Sequence, residues 1–382
     1  MKEREVIDKL RRAFPESGIG DDTAVLAGLG APCGARPARR VAGPSRSGGV
    51  DLLFASDAIV EGVHFRRETS TLSQAIQKLV TSNVSDIYAM GGKPSAIVLS
   101  AALSPGASSE DIDQIIDGLK RACAAYDVTL AGGDTVSSPG GYFFDVAIVG
   151  AVPNGRAILR SGARPGDAIV LFGELGRSLA GLSIVSFLAG RRPGKNVPLP
   201  APAVRLVLNN EAPWREIFAG LALDSGAISL ARMAARLERR PGAAEILLSA
   251  KQHLVPLASP LAPFLSRGGA TALTSMIDVS DGLAKDLRTL CAESGVGAII
   301  EEAALPVAAG AAELFGLKGR KLVDFAISSG EEYVLLGTTR AKRPPPTGRV
   351  IGRVVDARDG IALVDARGRG RPLPELGYEH SF

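Results

Sequence analysis

The chain has 382 residues, 46% of them hydrophobic and only 5% aromatic, with a formal net charge of +4. Such a length favours two domains over one, and the aliphatic composition excludes a disordered chain. No apolar run is long enough for a membrane span, and no signal core follows Met1-Lys2-Glu3-Arg4-Glu5, so a cytoplasmic protein without a membrane partner is expected.

The periodicity predicts a helix over 3–14, with Val6, Ile7, Leu10 and Phe14 on one face. Gly18-Ile19-Gly20-Asp21-Asp22 leads into a short apolar run, Ala24 to Leu26, and 27–49 reads as a Gly/Pro/Arg-rich loop. Leu52 to Ala55 reads as a strand that delivers Ser56-Asp57 at its end. The clearest helix covers 72–90, with a stripe of Leu72, Ile76, Leu79, Val80, Ile87 and Met90. Asn83 and Asp86 share a face of it; a solvated polar face is as good a reading of that pair as a functional one. Gly91-Gly92 and Pro94 stop the helix. Strands are expected at Ser95–Leu103, Val128–Leu130 and Tyr142–Val152, with a helix opened by a Ser108/Asp111 capping box between the first two.

These elements form a mixed α/β layer domain, 1–155, and Arg156 to Pro165 reads as the hinge into a second domain, 156–382. There, Asp167–Leu171 is a strand followed by a helix of small residues. The stretch 190–203 reads as a Pro-rich loop, and 204–250 holds helical stretches without firm positions. Asp278 to Gly282 opens a helix over 283–291, capped by Ser280 or Asp281 and stopped near Gly295. Tyr333–Leu336, Val350–Val355 and Ile361–Val364 read as closing strands.

Cys33, Cys123 and Cys291 are far apart and in no metal-ligand spacing; core packing is expected for the last two. The basic residues carry no nucleic-acid motif, so no nucleic-acid partner is expected. The distinctive feature is acidic. Gly18 to Asp22, Ser56-Asp57, Ser85-Asp86, Ala131-Gly132-Gly133-Asp134-Thr135 and Asp278-Val279-Ser280-Asp281-Gly282 each set Asp beside small residues. Taken singly, each is an ordinary turn. Folded together, the carboxylates repel one another unless cations are bound. Oxygen-only ligands suit Mg²⁺ bridging to nucleotide phosphates, and the glycines leave room for those phosphates. Neither a Walker A loop nor a dinucleotide fingerprint is present.

Gly18–Asp22, Ser56–Phe65, Asn83–Asp86 with Ala89–Gly91, Gly132–Thr135, Gly155–Gly162, Asp278–Gly282 and Ser329–Tyr333 stand in one order along nearly the whole chain. In that order they resemble the thiamine-monophosphate kinase family, within the superfamily of aminoimidazole ribonucleotide synthetase, selenophosphate synthetase and a hydrogenase-maturation protein. The resemblance implies a two-domain mixed α/β ATP-binding fold, a homodimer formed through the N-terminal sheet, and ATP-dependent phosphorylation of thiamine monophosphate to thiamine diphosphate. It implies several Mg²⁺ ions on Asp22, Ser56, Asp57, Asp86, Asp134 and Asp278, with Asp281 binding a further one. Gly133, Asp134, Arg160 and Ser280 are the implied ATP contacts. His64 and Glu331 are the implied contacts to thiamine monophosphate, with Tyr378 or Phe382 stacking on it. No covalent nucleophile is implied.

The chain departs from the family pattern at Ala55, at Ser56 for the usual Thr, and at Ser329-Gly330-Glu331-Glu332 for the usual Gly-Gly-Glu-Asp; 27–49 and 190–250 are longer than usual. Glu332, one residue along an emerging strand, is expected to face away from the acceptor. A sister enzyme is a weaker reading. Cys33 sits in a Pro/Gly/Arg-rich loop, and the chain ends in Phe382 rather than a reactive Cys. A non-catalytic nucleotide or thiamine-phosphate sensor would rest on the altered 329–332 stretch alone, and a nucleic-acid binder on the basic pI near 9.0 alone.

Overall fold

Two sheets carry the chain, and the helix between them is the most deeply buried element. The computed structural model describes residues 3–13, 21–26, 49–192, 197–208, 211–222, 242–259, 273–341 and 347–380. Phe14, Gly18 to Gly20, Cys33, Arg36 to Arg46 and Phe382 lie outside them.

After α1 (Glu3–Ala13), the first sheet is built from β1 (Ala24–Leu26), β2 (Val50–Val60), β3 (Lys93–Leu103), β4 (Thr129–Ser137) and β5 (Phe143–Pro153), in the spatial order β1-β2-β5-β3-β4. Only β3 and β4 run parallel; α3 (Ser109–Tyr126) lies between them in the chain. The Ser108/Asp111 capping box opens α3 as expected.

Two strands are longer than their sequence suggests. Strand β2 runs through Ser56-Asp57, and β4 runs through Gly132-Gly133-Asp134, so neither motif is a loop. At Gly133 a Cβ would stand 2.2 Å from the Leu99 carbonyl oxygen of β3, so glycine is what lets the two backbones approach.

Helix α2 (Leu72–Ala89) packs on β2 and β5 on one side and on β7 (Leu273–Val279) on the other. All its residues except Ser82 and Asp86 are buried. A helix enclosed on all sides needs partners for its polar groups. Thr71 and Gln74 close a capping box at its start, Gln74 Nε2 donates to the Phe218 and Leu221 carbonyls, and Thr81 Oγ1 donates to the Pro256 carbonyl. Most polar residues of α2 thus face protein rather than solvent.

The second sheet has the order β12-β11-β8-β10-β6-β9-β7. Its strands besides β7 are β6 (Ala168–Phe172), β8 (Val296–Glu301), β9 (Val334–Thr339), β10 (Arg349–Asp356), β11 (Ile361–Val364) and β12 (Gly370–Pro372). The expected boundary at 155/156 falls in the connection between the sheets. Among the described residues, the α-helices of this half are α4 (Arg177–Leu188), α5 (Pro202–Leu208), α6 (Glu211–Ala219), α7 (Ala243–Leu254), α8 (Leu283–Ser294), α9 (Ala309–Phe315) and α10 (Gly319–Ser328). A helical core around fully buried Trp214 joins α4, α5, α6 and α7. Cys291 is buried in the core of the second sheet, and Cys123 packs at the edge of the first. Among the described residues no helix is long and apolar enough to cross a membrane.

Candidate active site

An open cavity of about 1870 Å³ lies where β2, α2, the end of β7 and the loop before β9 meet. Strand β2 turns Asp57 toward α2, and Asn83 Oδ1 accepts the Asp57 N–H at 3.2 Å, tying strand to helix. One turn on, α2 presents Asp86; Asp278 is the next-to-last residue of β7, and Asp22 arrives just before β1.

The carboxylates of Asp22, Asp86 and Asp278 each offer an oxygen within 4.8 Å of the others. Burial pushes the Asp278 carboxyl up to about 8, with Asp22 adding to the shift; Ser85 Oγ, donating at 2.7 Å, and Arg160 oppose it. Burial, then Asp57 and Asp278, raise Asp86 well above the ordinary carboxylate value. Asp57 is raised by burial and by Asp145, Asp281 and Asp22. The chain itself supplies Arg160, whose Nη2 donates to Asp22 Oδ1 at 2.6 Å. Asp22 Oδ2 is buried with no hydrogen-bond partner among the described residues. Crowded, under-neutralised carboxylate oxygens at a cavity wall fit a hard divalent cation such as Mg²⁺.

Asp281 stands outside this triad, with Lys285 Nζ 2.7 Å from its Oδ2. The expected capping of α8 by Ser280 or Asp281 is corrected: Gly282 is the N-cap, without a side-chain bond of its own. Asp286, from inside the helix, accepts the N–H groups of Asp281 and Gly282. Ser280 lines the cavity, and its carbonyl accepts the Glu331 N–H at 2.6 Å.

At the other end, Glu331 meets Lys78 of α2, with Nζ 2.8 Å from Oε2, and His253 of α7, with Nδ1 3.4 Å from the same oxygen. Burial works against its charge, but Lys78 and His253 hold its carboxyl down at about 2. Its backbone is left-handed, φ 56°, and so is that of Tyr333, φ 49°; Glu331 is therefore not on a strand, and β9 begins only at Val334. Glu332 does face away from the cavity, but it is not idle. Its Oε1 accepts the N–H groups of Gly176 and Ser178 and the hydroxyl of Ser329, and Ser329 Oγ in turn accepts the Leu179 N–H. The two unusual residues of the 329–332 stretch therefore bond each other and cap α4, whose Gly176 N-cap has no side chain.

His64 sits in a turn where its Nδ1 accepts the Val60 N–H, and its ring lies 5.2 Å from that of His380. Tyr378 crosses His380 edge-on at 4.8 Å, and its N–H donates to the Asp281 carbonyl, strapping the tail across the cavity rim.

Gly133 and Asp134 lie apart from the cavity, whereas Ser56 is at its wall. Strand β4 sets Asp134 in a row with Ser100, Asp145 and Ala58 on the open face of the first sheet. Ser56 is on that face too, donating to Asp145 Oδ2 at 2.8 Å. Three strand spacings, roughly 14 Å, separate β4 from β2, and neither Gly133 nor Asp134 lines the cavity. Sequence reasoning missed Lys78, Asp286 and His253. A lysine and a histidine on apolar helix faces give no signal until tertiary contacts bring them to a carboxylate.

Comparison with known proteins bears on the fold. Residues 20–152 match the family described as AIR synthase related protein, N-terminal domain. A thiamine-monophosphate kinase of Pyrococcus abyssi is 28% identical across 100% of this chain and 96% of its own. That of Bacillus subtilis is 33% identical, over 44% of this chain and 46% of its own, so the chain matches about half the length of that relative. The solved structure of AaThiL complexed with AMPPCP and TMP superposes with a TM-score of 0.71 at 24% identity, covering 100% of this chain and 97% of that one. Hydrogenase maturation protein HypE superposes at 0.52 with 16% identity over 89% and 91%. The fold is that of the AIR synthase-related proteins.

Proposed function

We propose that this relative of the thiamine-monophosphate kinases transfers the γ-phosphoryl group of ATP to thiamine monophosphate, giving thiamine diphosphate and ADP. The observation that carries the reading is the convergence of Asp22, Asp57, Asp86 and Asp278 at one cavity, opposite Glu331. When held by those carboxylates, Mg²⁺ supplies charge neutralisation for phosphate groups that would otherwise repel one another. Arg160, 2.6 Å from Asp22, contributes a fixed cation beside the nucleotide. An acceptor phosphate oxygen attacks the γ-phosphorus and the bond to the β-phosphate oxygen breaks. Because that acceptor oxygen is already ionised, no general base is needed, and positioning with electrostatic stabilisation carries the step.

Glu331 takes the cationic thiamine end, beside His64, and Tyr378 is the tail aromatic available to stack on it; Phe382 lies outside the described residues. We read the enzyme as cytoplasmic and as a homodimer through the open face of the first sheet. That face exposes Val50, Phe54, Val98, Val136 and Phe143. A second copy would cover them. It would also account for Asp134, which is too far from Asp57 to act within its own chain but is free to complete its partner's site. A HypE-like activity on the same fold has less support, because the Pyrococcus abyssi relative matched across the full chain is a thiamine-monophosphate kinase.

The test is steady-state kinetics of Glu331→Gln. Loss of a charge-assisted contact of about 1.5–3 kcal/mol should raise the KM for thiamine monophosphate about tenfold or more. The KM for ATP should stay put. Equal shifts in both would remove Glu331 from the acceptor site.

A further inference from the structure

Helix α7 belongs to the long segment between β6 and β7, and its last turn reaches the acceptor loop twice. Gln252 Nε2 donates to the Glu332 carbonyl at 3.0 Å, and His253 Nδ1 lies 3.4 Å from Glu331 Oε2. The loop they touch is strained. Glu331 and Tyr333 both have left-handed backbones, a conformation that costs a residue with a side chain roughly 1–2 kcal/mol and persists only when the surroundings impose it.

The opposite side of the loop is fixed by two backbone bonds to the end of β7, Glu331 N–H to the Ser280 carbonyl and Tyr333 N–H to the Val279 carbonyl. The α7 side is fixed just as firmly. At Gly181 of α4 a Cβ would lie 2.0 Å from the Ser249 carbonyl and 2.6 Å from His253 Cβ, so α7 lies against α4 with no gap. Beyond α7, the Pro256 carbonyl accepts from Thr81 and the Ala258 N–H donates to Tyr126. His253 is nearly buried, and its Nδ1 has no conventional hydrogen bond among the described residues; it lies 3.4 Å from Glu331 Oε2. Lys78, at 2.8 Å, already pairs the charge of Glu331, so charge balance is not all that the histidine supplies.

We propose that Gln252 and His253 are positioning residues that hold the 331–333 loop in its left-handed form, so that Glu331 is aimed at the cationic part of the acceptor before it binds. A carboxylate pre-set in this way loses little freedom on binding, which is how positioning improves affinity. The inference deepens the proposed phosphorylation of thiamine monophosphate and rests on it for the identity of the ligand.

The experiment uses the full chain with His253→Ala, Gln252→Glu, the double variant, and His253→Asn, whose amide N–H stands close to where Nδ1 was. Calorimetry with thiamine monophosphate, in the presence of Mg²⁺ and a non-hydrolysable ATP analogue, should show affinity about five- to tenfold weaker in the double variant, the scale of one lost neutral hydrogen bond. His253→Asn should recover most of the single-variant loss. Affinity for the ATP analogue should not change. Hydrogen exchange should speed up in a peptide spanning 329–336, where the Glu331 and Tyr333 amides report the loop directly.

Unchanged exchange there overturns the proposal, as does unchanged acceptor affinity in the double variant. Parallel loss of ATP-analogue affinity would mean general distortion and also overturns it. If wild type itself does not bind thiamine monophosphate, the substrate reading fails and takes the acceptor role of these residues with it. That result is distinct from a wild type that binds beside variants that bind equally well.

Discussion

Asp86 and Asp134 were alike as sequence motifs and are unlike in the fold. Asp86 sits among Asp22, Asp57 and Asp278, whose charges all raise its pKa on top of burial; Asp134 is exposed on an edge strand. Asp86→Asn should therefore raise the melting temperature of the metal-free protein, because it relieves repulsion. It should also abolish most of the stabilisation that Mg-ATP gives wild type, about 2.7 kcal/mol at a hundredfold excess over Kd. Thermal unfolding with and without Mg-ATP checks both; an undiminished Mg-ATP shift in the variant would remove Asp86 from the site. Glu332 offers a test by pH. Burial raises its carboxyl to about 7, against the hydrogen bonds from Ser329, Ser178 and Gly176, while its ordinary value is 4.5. A carboxyl whose pKa is raised on folding keeps its proton better in the folded state. Its contribution is therefore fullest below about pH 4.5 and is lost as pH rises through 7. Wild type should lose melting temperature more steeply than Glu332→Gln between pH 5 and 8. Parallel slopes would mean that Glu332 is ionised throughout. It follows that Glu332 is no silent control for Glu331, a point hidden from sequence because its partners are the backbone amides of Gly176 and Ser178, far away in the chain.

At the scale of elements, what was legible was local and what was not was long-range. The start of α3, at its capping box, and the bounds of β11 could be read locally. The N-cap of α8 could not, since its donors are satisfied by Asp286 one turn inside the helix. Strands β7 and β8 are short apolar runs that periodicity cannot separate from loop or helix. The Gly-Gly-Asp stretch reads as a turn because nothing local reveals that β3 lies against it. That close approach carries its own prediction. In Gly133→Ala the new Cβ would meet the Leu99 carbonyl at 2.2 Å. Backbone cannot swing aside as a side chain can, so β3 and β4 must part, at a cost of about 1–3 kcal/mol. A melting temperature unchanged by the substitution would show that edge strand β4 is free to slide.

On the scale of the whole molecule, the carboxylates that converge come from both halves of the chain: Asp22, Asp57 and Asp86 from the first, Asp278 from the second. This is why the order of motifs was informative in sequence while their geometry was not. The proposed homodimer adds the one carboxylate that a single chain leaves stranded. If Asp57 of one copy works with its partner's Asp134, then Asp57→Asn and Asp134→Asn should each be nearly inactive alone. Co-expressed, they should recover about a quarter of wild-type activity, since half the dimers are mixed and each mixed dimer has one intact site. No recovery, with mixed dimers demonstrated, would confine the site to one chain. The central claim is tested most directly by incubating purified protein with ATP, Mg²⁺ and thiamine monophosphate and measuring thiamine diphosphate and ADP together. The account predicts equal amounts of both, neither without Mg²⁺; ADP without thiamine diphosphate, or turnover only with a different phosphorylated acceptor, would contradict it.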